Sequence, residues 1–119
     1  MMTIVRFERR GNGIFRPSNK SIYNSAIAKR TYARHNNGNF PLPENENLDL
    51  IRGGKEWFCA YKTIEQLQSW VHKDEIDFFI SKGFKVLMLD VNEYQEGQMQ
   101  VVFTKESIIS SKDITSLFK

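Results

Sequence analysis

The chain has one cysteine, two histidines and three prolines among 119 residues. Each scarcity removes a class of protein. Cys59 alone cannot close an internal disulfide, and it excludes every multi-cysteine zinc site. His35 and His72 are the only histidines, and neither belongs to a cluster with metal-ligand spacing, so no metal is expected. No apolar run approaches the roughly 20 residues of a membrane span, so no membrane partner is expected. Met1-Met2-Thr3-Ile4-Val5-Arg6 lacks the apolar segment of a secretory signal. There is no phosphate-binding loop, no serine-centred elbow, no repeat and no low-complexity segment. Gly11-Asn12-Gly13 is too short for a dinucleotide fingerprint, which needs a third glycine opening a helix.

What is present is enough for one core. The chain is 40% hydrophobic and 13% aromatic, with nine phenylalanines, which argues against global disorder. A chain of this length buries roughly two thirds of its unfolded surface, so residues 1–119 read as a single α+β domain. The net charge of +3 hides a division. Residues 1–43 hold eight basic groups and one acid, Glu8, which is +7; residues 44–119 hold nine basic and thirteen acidic groups, which is −4. All seven arginines precede residue 53. Arginine grips phosphates and carboxylates with a planar fork that lysine lacks. The basic third therefore suits an anionic partner: an acidic host protein, a protein–nucleic-acid complex or a nucleic acid itself. Arg9, Arg10, Arg16, Arg30 and Arg34 are the candidate partner-binding residues, with Phe15, Tyr23 and Tyr32 near enough in sequence to stack on bases.

The pattern along the chain gives elements. Residues 3–8 suit a first strand, with Val5 and Phe7 on one face and Arg6 and Glu8 on the other. Gly11-Asn12-Gly13 marks a loop with positive φ angles. Ser21 caps a helix expected over 22–34. Residues 35–47 read as a long polar loop carrying His35, and a helical turn is expected at 48–51. Residues 56–61 suit a central strand, where Cys59 would be a small core residue. Thr63-Ile64-Glu65-Gln66 fits a capping box, with Ile64, Leu67, Trp70 and Val71 as the buried stripe. A further helix is expected over 74–82, stopped at Gly83. Residues 84–91 form the strongest strand, residues 92–97 a turn, and residues 98–103 a strand that pairs back as a hairpin. The tail adds an extended segment near 107–109 and a short helix over 112–118.

Three segments taken in order resemble the ADP-ribosyltransferase fold, including the small versions found among bacterial and phage proteins. They are Val5-Arg6-Phe7 on the first strand, Trp57-Phe58-Cys59-Ala60-Tyr61 leading into the capped helix, and Gln98-Met99-Gln100-Val101-Val102-Phe103 on a late strand. The resemblance implies a curved, mainly antiparallel sheet with two to three packed helices. It implies NAD as cofactor, with Arg6 on phosphate or ribose and Phe58 and Tyr61 flanking the base. Gln98 and Gln100 would stand in the catalytic positions. Gln100 occupies the place of the family's catalytic Glu and carries no charge. Losing one such preorganised group costs on the order of 10²–10³ in rate. Either the fold serves as a binding module, or Glu93 or Glu96 supplies the charge. The small size and the Asn/Lys/Ile-rich usage also resemble phage proteins, which act in the host cytoplasm. The expected function is a phage-type, ADP-ribosyltransferase-like protein that recognises NAD or an ADP-ribose nucleotide to modify or inhibit a host target. The alternative is a non-enzymatic inhibitor of host defence, of anti-CRISPR or anti-restriction type, acting through the basic N-terminal third.

Overall fold

A computed structural model describes residues 1–14, 22, 24–37, 51–52, 54–98 and 100–119. The first strand, β1 (Met2–Glu8), pairs antiparallel with β5 (Lys85–Val91) along its whole length, from Met2 opposite Val91 to Glu8 opposite Lys85. β5 in turn pairs antiparallel with β8 (Ile108–Asp113), with a register shift at Asp90/Val91. A second three-stranded sheet has β4 (Phe58–Ala60) and β6 (Tyr94–Glu96) on either side of β7 (Val101–Phe103). β2 (Ile51–Arg52) and β3 (Lys55–Glu56) form a small separate ribbon.

One backbone bridge joins the two larger sheets. Val5 and Tyr61 exchange both amide hydrogen bonds, at 2.9 and 2.8 Å. The order across the seam is therefore β8-β5-β1-β4-β7-β6, antiparallel throughout.

Three α-helices are described. They are α1 (Ala26–Asn37), α2 (Ile64–Trp70) and α3 (Lys73–Ser81). They cover the β1 face that carries Val5 and Phe7. Phe79 of α3 is fully buried there, with Phe7, Phe78 and Phe84 rings at 5.9, 5.5 and 5.6 Å. Leu67 and Val71 of α2 and Tyr32 of α1 complete this cluster. The opposite face of β1 places Ile4 in a second cluster with Leu89, Val91, Val101 and Phe103. Among the described residues, no helix is long and apolar enough to cross a membrane.

Local chemistry explains the element ends. Thr63 Oγ1 accepts the Gln66 N–H at 3.0 Å, as the capping pattern requires. Gln66 Oε1 reaches back to the Lys62 N–H, one residue beyond the usual box, at 2.7 Å. Gly83 ends α3 with φ +95°.

Several expectations need correction. The cap of α1 is Ser25, whose Oγ accepts the Ala28 N–H at 3.2 Å, so the helix starts four residues later than expected and runs on through His35. His35 is a buried helix residue, not a loop residue. Ser21, Phe15, Arg16 and Tyr23 lie outside the described residues, as do 38–50 of the expected loop and turn. Ile51 belongs to a strand. The expected turn at 92–97 contains β6, and β7 pairs with β6 and β4 instead of returning to β5. The expected 56–61 strand breaks at Trp57, and Cys59 is exposed. The tail forms β8 and then a 3-10 turn over Thr115–Phe118.

Candidate functional site

Strand alternation decides which of the expected site residues meet. Arg6 lies on the β1 face opposite Val5, and it points into the angle between the two half-sheets. Its guanidinium sits 5.4 Å from the Phe58 ring centroid and 5.4 Å from that of Phe103, its partner across the β4–β7 pair. Nη1 donates to the Cys59 carbonyl at 3.0 Å. Nη2 lies over Gly13, where an added Cβ would sit 3.5 Å away. Nε is 3.4 Å from Glu8 Oε2, an ion pair without hydrogen-bond alignment, and Nε has no hydrogen-bond acceptor. The side chain is 5% exposed. Burial lowers the guanidinium's proton affinity, and Glu8 partly opposes that.

Lys105 completes the group from the turn after β7. Its Nζ is 4.5 Å from the Phe58 centroid, donates to the Gly11 carbonyl and lies 3.6 Å from Glu8 Oε1. Two cations therefore share one ring and one carboxylate, which leaves a local charge of +1. The Nε–Nη2 edge of Arg6 is the fork that binds a phosphate or carboxylate bidentately. Glu8 holds that edge loosely. An anion entering past the third-exposed Lys105 would meet Arg6 beneath it.

The other expected residues go elsewhere. Tyr61 pairs with Val5 and packs with the helices, on the face away from Arg6. Its hydroxyl meets His35 Nε2 at 3.0 Å, and burial raises its pKa. Because His35 Nδ1 lies 2.9 Å from the Thr31 carbonyl, Nδ1 carries the proton and Nε2 accepts from Tyr61. Gln100 is 2% exposed, and its carbonyl accepts the Gly97 N–H at 2.8 Å. Gln98 is exposed, and Lys62 Nζ donates to its carbonyl at 3.1 Å. Glu93 is held by Thr104 Oγ1 at 2.7 Å and Lys55 Nζ at 3.0 Å, which lower its pKa, and Glu96 pairs with Lys62. Arg6 and Phe58 are thus brought together; Tyr61, Gln98 and Gln100 are not placed beside them. Lys105 was missed, being 97 residues from Glu8 in sequence with no local pattern linking the two, whereas Glu8 was expected on the Arg6 face of the first strand.

The arginines of the basic third divide in the same way. Arg34 donates to both oxygens of Glu75, and Arg30 Nε donates to Oε2 at 2.7 Å. Arg30 also pairs with Asp74, and Arg34 Nη1 donates to the Trp70 carbonyl at 2.9 Å. Glu75 is fully buried and also accepts the His72 N–H at 3.0 Å. Burial pushes its carboxyl up, but the Arg34, His72 and Arg30 donors outweigh that and bring it down to about 2. His72, Asp74 and Glu75 offer ligand atoms within 4.8 Å of one another. Their carboxylates are already bound by guanidinium groups, which takes the lone pairs and supplies the charge that a cation would need. Arg30 and Arg34 are clamps on α3. Arg10 is exposed, and Arg9 packs beside Gly83, where an added Cβ would sit 3.3 Å from its Nε.

His35 gives the fold a pH dependence. Burial holds its imidazole below the ordinary value, and the Thr31 carbonyl opposes this only in part. The unfolded chain therefore binds the proton first. The stabilisation is complete above about pH 6.5 and is lost as pH falls toward the lower folded value. The urea midpoint is expected to drop between pH 7 and pH 5, and His35→Phe is expected to flatten that slope. An unchanged slope in the variant would locate the dependence elsewhere.

The fold is that of a small α+β protein with a buried guanidinium, Arg6, at the seam between two half-sheets. A family described as Bacteriophage T4 Y00F protein matches residues 2–116, and the chain belongs to that family. No curated protein and no solved structure matches the chain.

Proposed function

We propose that this phage-family protein works by binding a phosphate-bearing nucleotide at the Arg6–Lys105 cation pair on Phe58. NAD and ADP-ribose are the first ligands to test, as the resemblance to ADP-ribosyltransferases implies. The carrying observation is that Arg6 and Lys105 both lie against Phe58 while sharing a single, loosely held carboxylate. A phosphate would replace Glu8 on the Arg6 fork, and Phe58, half-buried, offers ring surface to a base or ribose. The reading is of a binder more than of a transferase. Gln100 is neutral and buried, so it supplies no negative charge to a developing oxocarbenium ion.

Calorimetry with ADP-ribose and NAD tests this. Lys105→Ala is expected to weaken binding about tenfold, the worth of one charge-assisted contact. Glu8→Gln is expected to tighten it several-fold by removing the internal competitor. No heat from the wild type, or the same affinity in all three proteins, would end the proposal. Nicotinamide release above background would show that binding leads on to transfer.

The second reading is an inhibitor of host defence that engages its target through the N-terminal basic surface. The observation favouring it is the exposed Arg10 at a turn tip beside Arg9. A pull-down from host lysate with Arg9, Arg10 and Arg16 changed to Glu distinguishes the two, since it leaves the Arg6 pocket unaltered.

A further inference from the structure

β1 ends in a two-residue reversal. Arg9 N–H donates to the Asn12 carbonyl at 2.8 Å and Asn12 N–H returns to Arg9 at 3.0 Å. Both intervening residues have positive φ, Arg10 at +52° and Gly11 at +82°. This is the backbone of a primed turn, whose first position favours Asn, Asp or Gly. Arg10 is the one non-glycine residue with positive φ among the described residues. It is exposed, and its side chain has no hydrogen bond or ion pair among the described residues. A long cationic side chain is thus held at a costly backbone position with no return among the described residues.

Its surroundings share its sign. Arg9 lies against Gly83, which stands between the exposed Lys82 and the strand opening at the exposed Lys85. Lys85 is opposite Glu8 in the β1–β5 register, and Lys105 is fastened to Gly11. Arg9, Arg10, Lys82, Lys85 and Lys105 therefore gather at one end of the sheet. Among the described residues, the carboxylates at this end are Glu8, shared by Arg6 and Lys105, Asp113, whose charge meets Lys85, and the exposed Glu106 beside Lys105 in sequence.

We infer that this end of the sheet docks the phosphodiester backbone of a nucleic acid. Charges spread over a turn tip, a helix end and two strand ends suit a uniformly charged polymer. A single bidentate anion would need them converged. The half-exposed Phe58 ring under Lys105 adds a surface on which a base can stack. This surface borders the proposed nucleotide site and shares Lys105 and Phe58 with it, whereas Arg10 takes no part in that site.

Fluorescence anisotropy with a labelled single-stranded DNA 20-mer, at several salt concentrations, tests the inference. Affinity is expected to fall steeply with salt. Arg10→Asn is expected to weaken binding about 3- to 10-fold and to reduce the log–log salt slope by about 0.7, the share of one phosphate on a single strand. The same variant is expected to raise Tm by about 2–5 °C, because Asn tolerates the left-handed backbone. Arg10→Lys is expected to bind nearly as the wild type does. Lys73→Asn, at the opposite end of α3 from Lys82, removes an exposed charge elsewhere and is expected to bind unchanged. The inference is overturned if the wild type shows no binding in 50 mM salt, or if Arg10→Asn binds like the wild type. Equal weakening by Lys73→Asn would reduce the effect to net charge, and competition by poly-glutamate as strong as by DNA would assign the surface to acidic proteins. Calorimetry of Arg10→Asn with ADP-ribose reads the Arg6 pocket independently, so either proposal can fail alone.

Discussion

Glu75→Gln is expected to destabilise the protein by about 2–3 kcal/mol, the usual cost of taking a charged acceptor from hydrogen-bonded donors, here Arg34, which is 20% exposed, and Arg30, which is half-exposed. The carboxylate is fully buried and takes donors from Arg34, Arg30 and the His72 backbone. A neutral amide cannot accept from all of them, and it turns its own N–H groups toward two guanidinium ions. Such a loss is a large part of the stability of a small domain, typically ~5–15 kcal/mol. Urea unfolding with an unchanged m-value checks it; a loss under about 1 kcal/mol would mean that water replaces the clamp. Replacing Arg30, Arg34 and Glu75 together with leucine or methionine is expected to recover much of the loss, since what destabilises is the orphaned charge and not the absence of the pair. The same group sets the acid limit of the fold. Its folded pKa, about 2, lies below the ordinary 4.5, so the unfolded chain takes up the proton first. The stabilisation is complete above about pH 4.5 and is lost as pH falls toward 2. His35 acts at higher pH in the same direction, which makes acid unfolding a two-stage decline.

Arg6→Met is expected to abolish nucleotide binding, by a hundredfold or more, while leaving the fold intact. The guanidinium lies against the Phe58–Phe103 pair with one hydrogen bond and one misaligned ion pair. A methionine fills nearly the same volume, and its thioether packs well on aromatic rings. The Cys59 carbonyl loses a donor, and the buried charge with its desolvation cost disappears. These terms nearly offset, so the change in stability is expected to stay under about 1.5 kcal/mol. The separation of the two effects is the point of the substitution. Calorimetry with ADP-ribose, beside thermal unfolding, reads both. Retained binding in a folded Arg6→Met protein would remove the proposed function, and unfolding would show that Arg6 serves the fold as its main cross-tie.

Local chemistry was legible in the sequence where a few adjacent residues decide the outcome. Thr63 and Gln66 cap α2, Gly83 stops α3, and Val5 and Phe7 share the buried face of β1. Partners far along the chain were not legible. The pairing of β7 with β6 and β4 was hidden because three-residue strands carry too little pattern to specify a neighbour, and Tyr94–Glu96 is alternately exposed and half-buried, like a turn. His35 was placed in a loop because its polar neighbours gave no apolar stripe; Tyr61 and Trp70, which enclose it, are 26 and 35 positions away. The charge division of the sequence, +7 against −4, is partly cancelled on folding. Arg30 and Arg34 stand four apart on one helix face, and the adjacent acids Asp74 and Glu75 open another helix. Each pair is visible alone, but their meeting is a fact of tertiary structure. Arg6 and Phe58, both expected at one site, do lie against each other. Tyr61 falls on the other face by the alternation of the pleat.

The Val5–Tyr61 bridge divides the molecule into two leaves on one spine. The β1–β5 ladder and the β4–β7 ladder are each continuous, yet between them run two amide hydrogen bonds and the reach of Arg6 to Cys59. The seam nevertheless stays shut, because Ile4, Leu89 and Val91 on one side and Ala60, Val101 and Phe103 on the other form one buried apolar cluster, and parting the leaves would expose that cluster to water. The two leaves are therefore expected to exchange their core amide hydrogens as one unit, and the geometry around Arg6 is held by the packing of both.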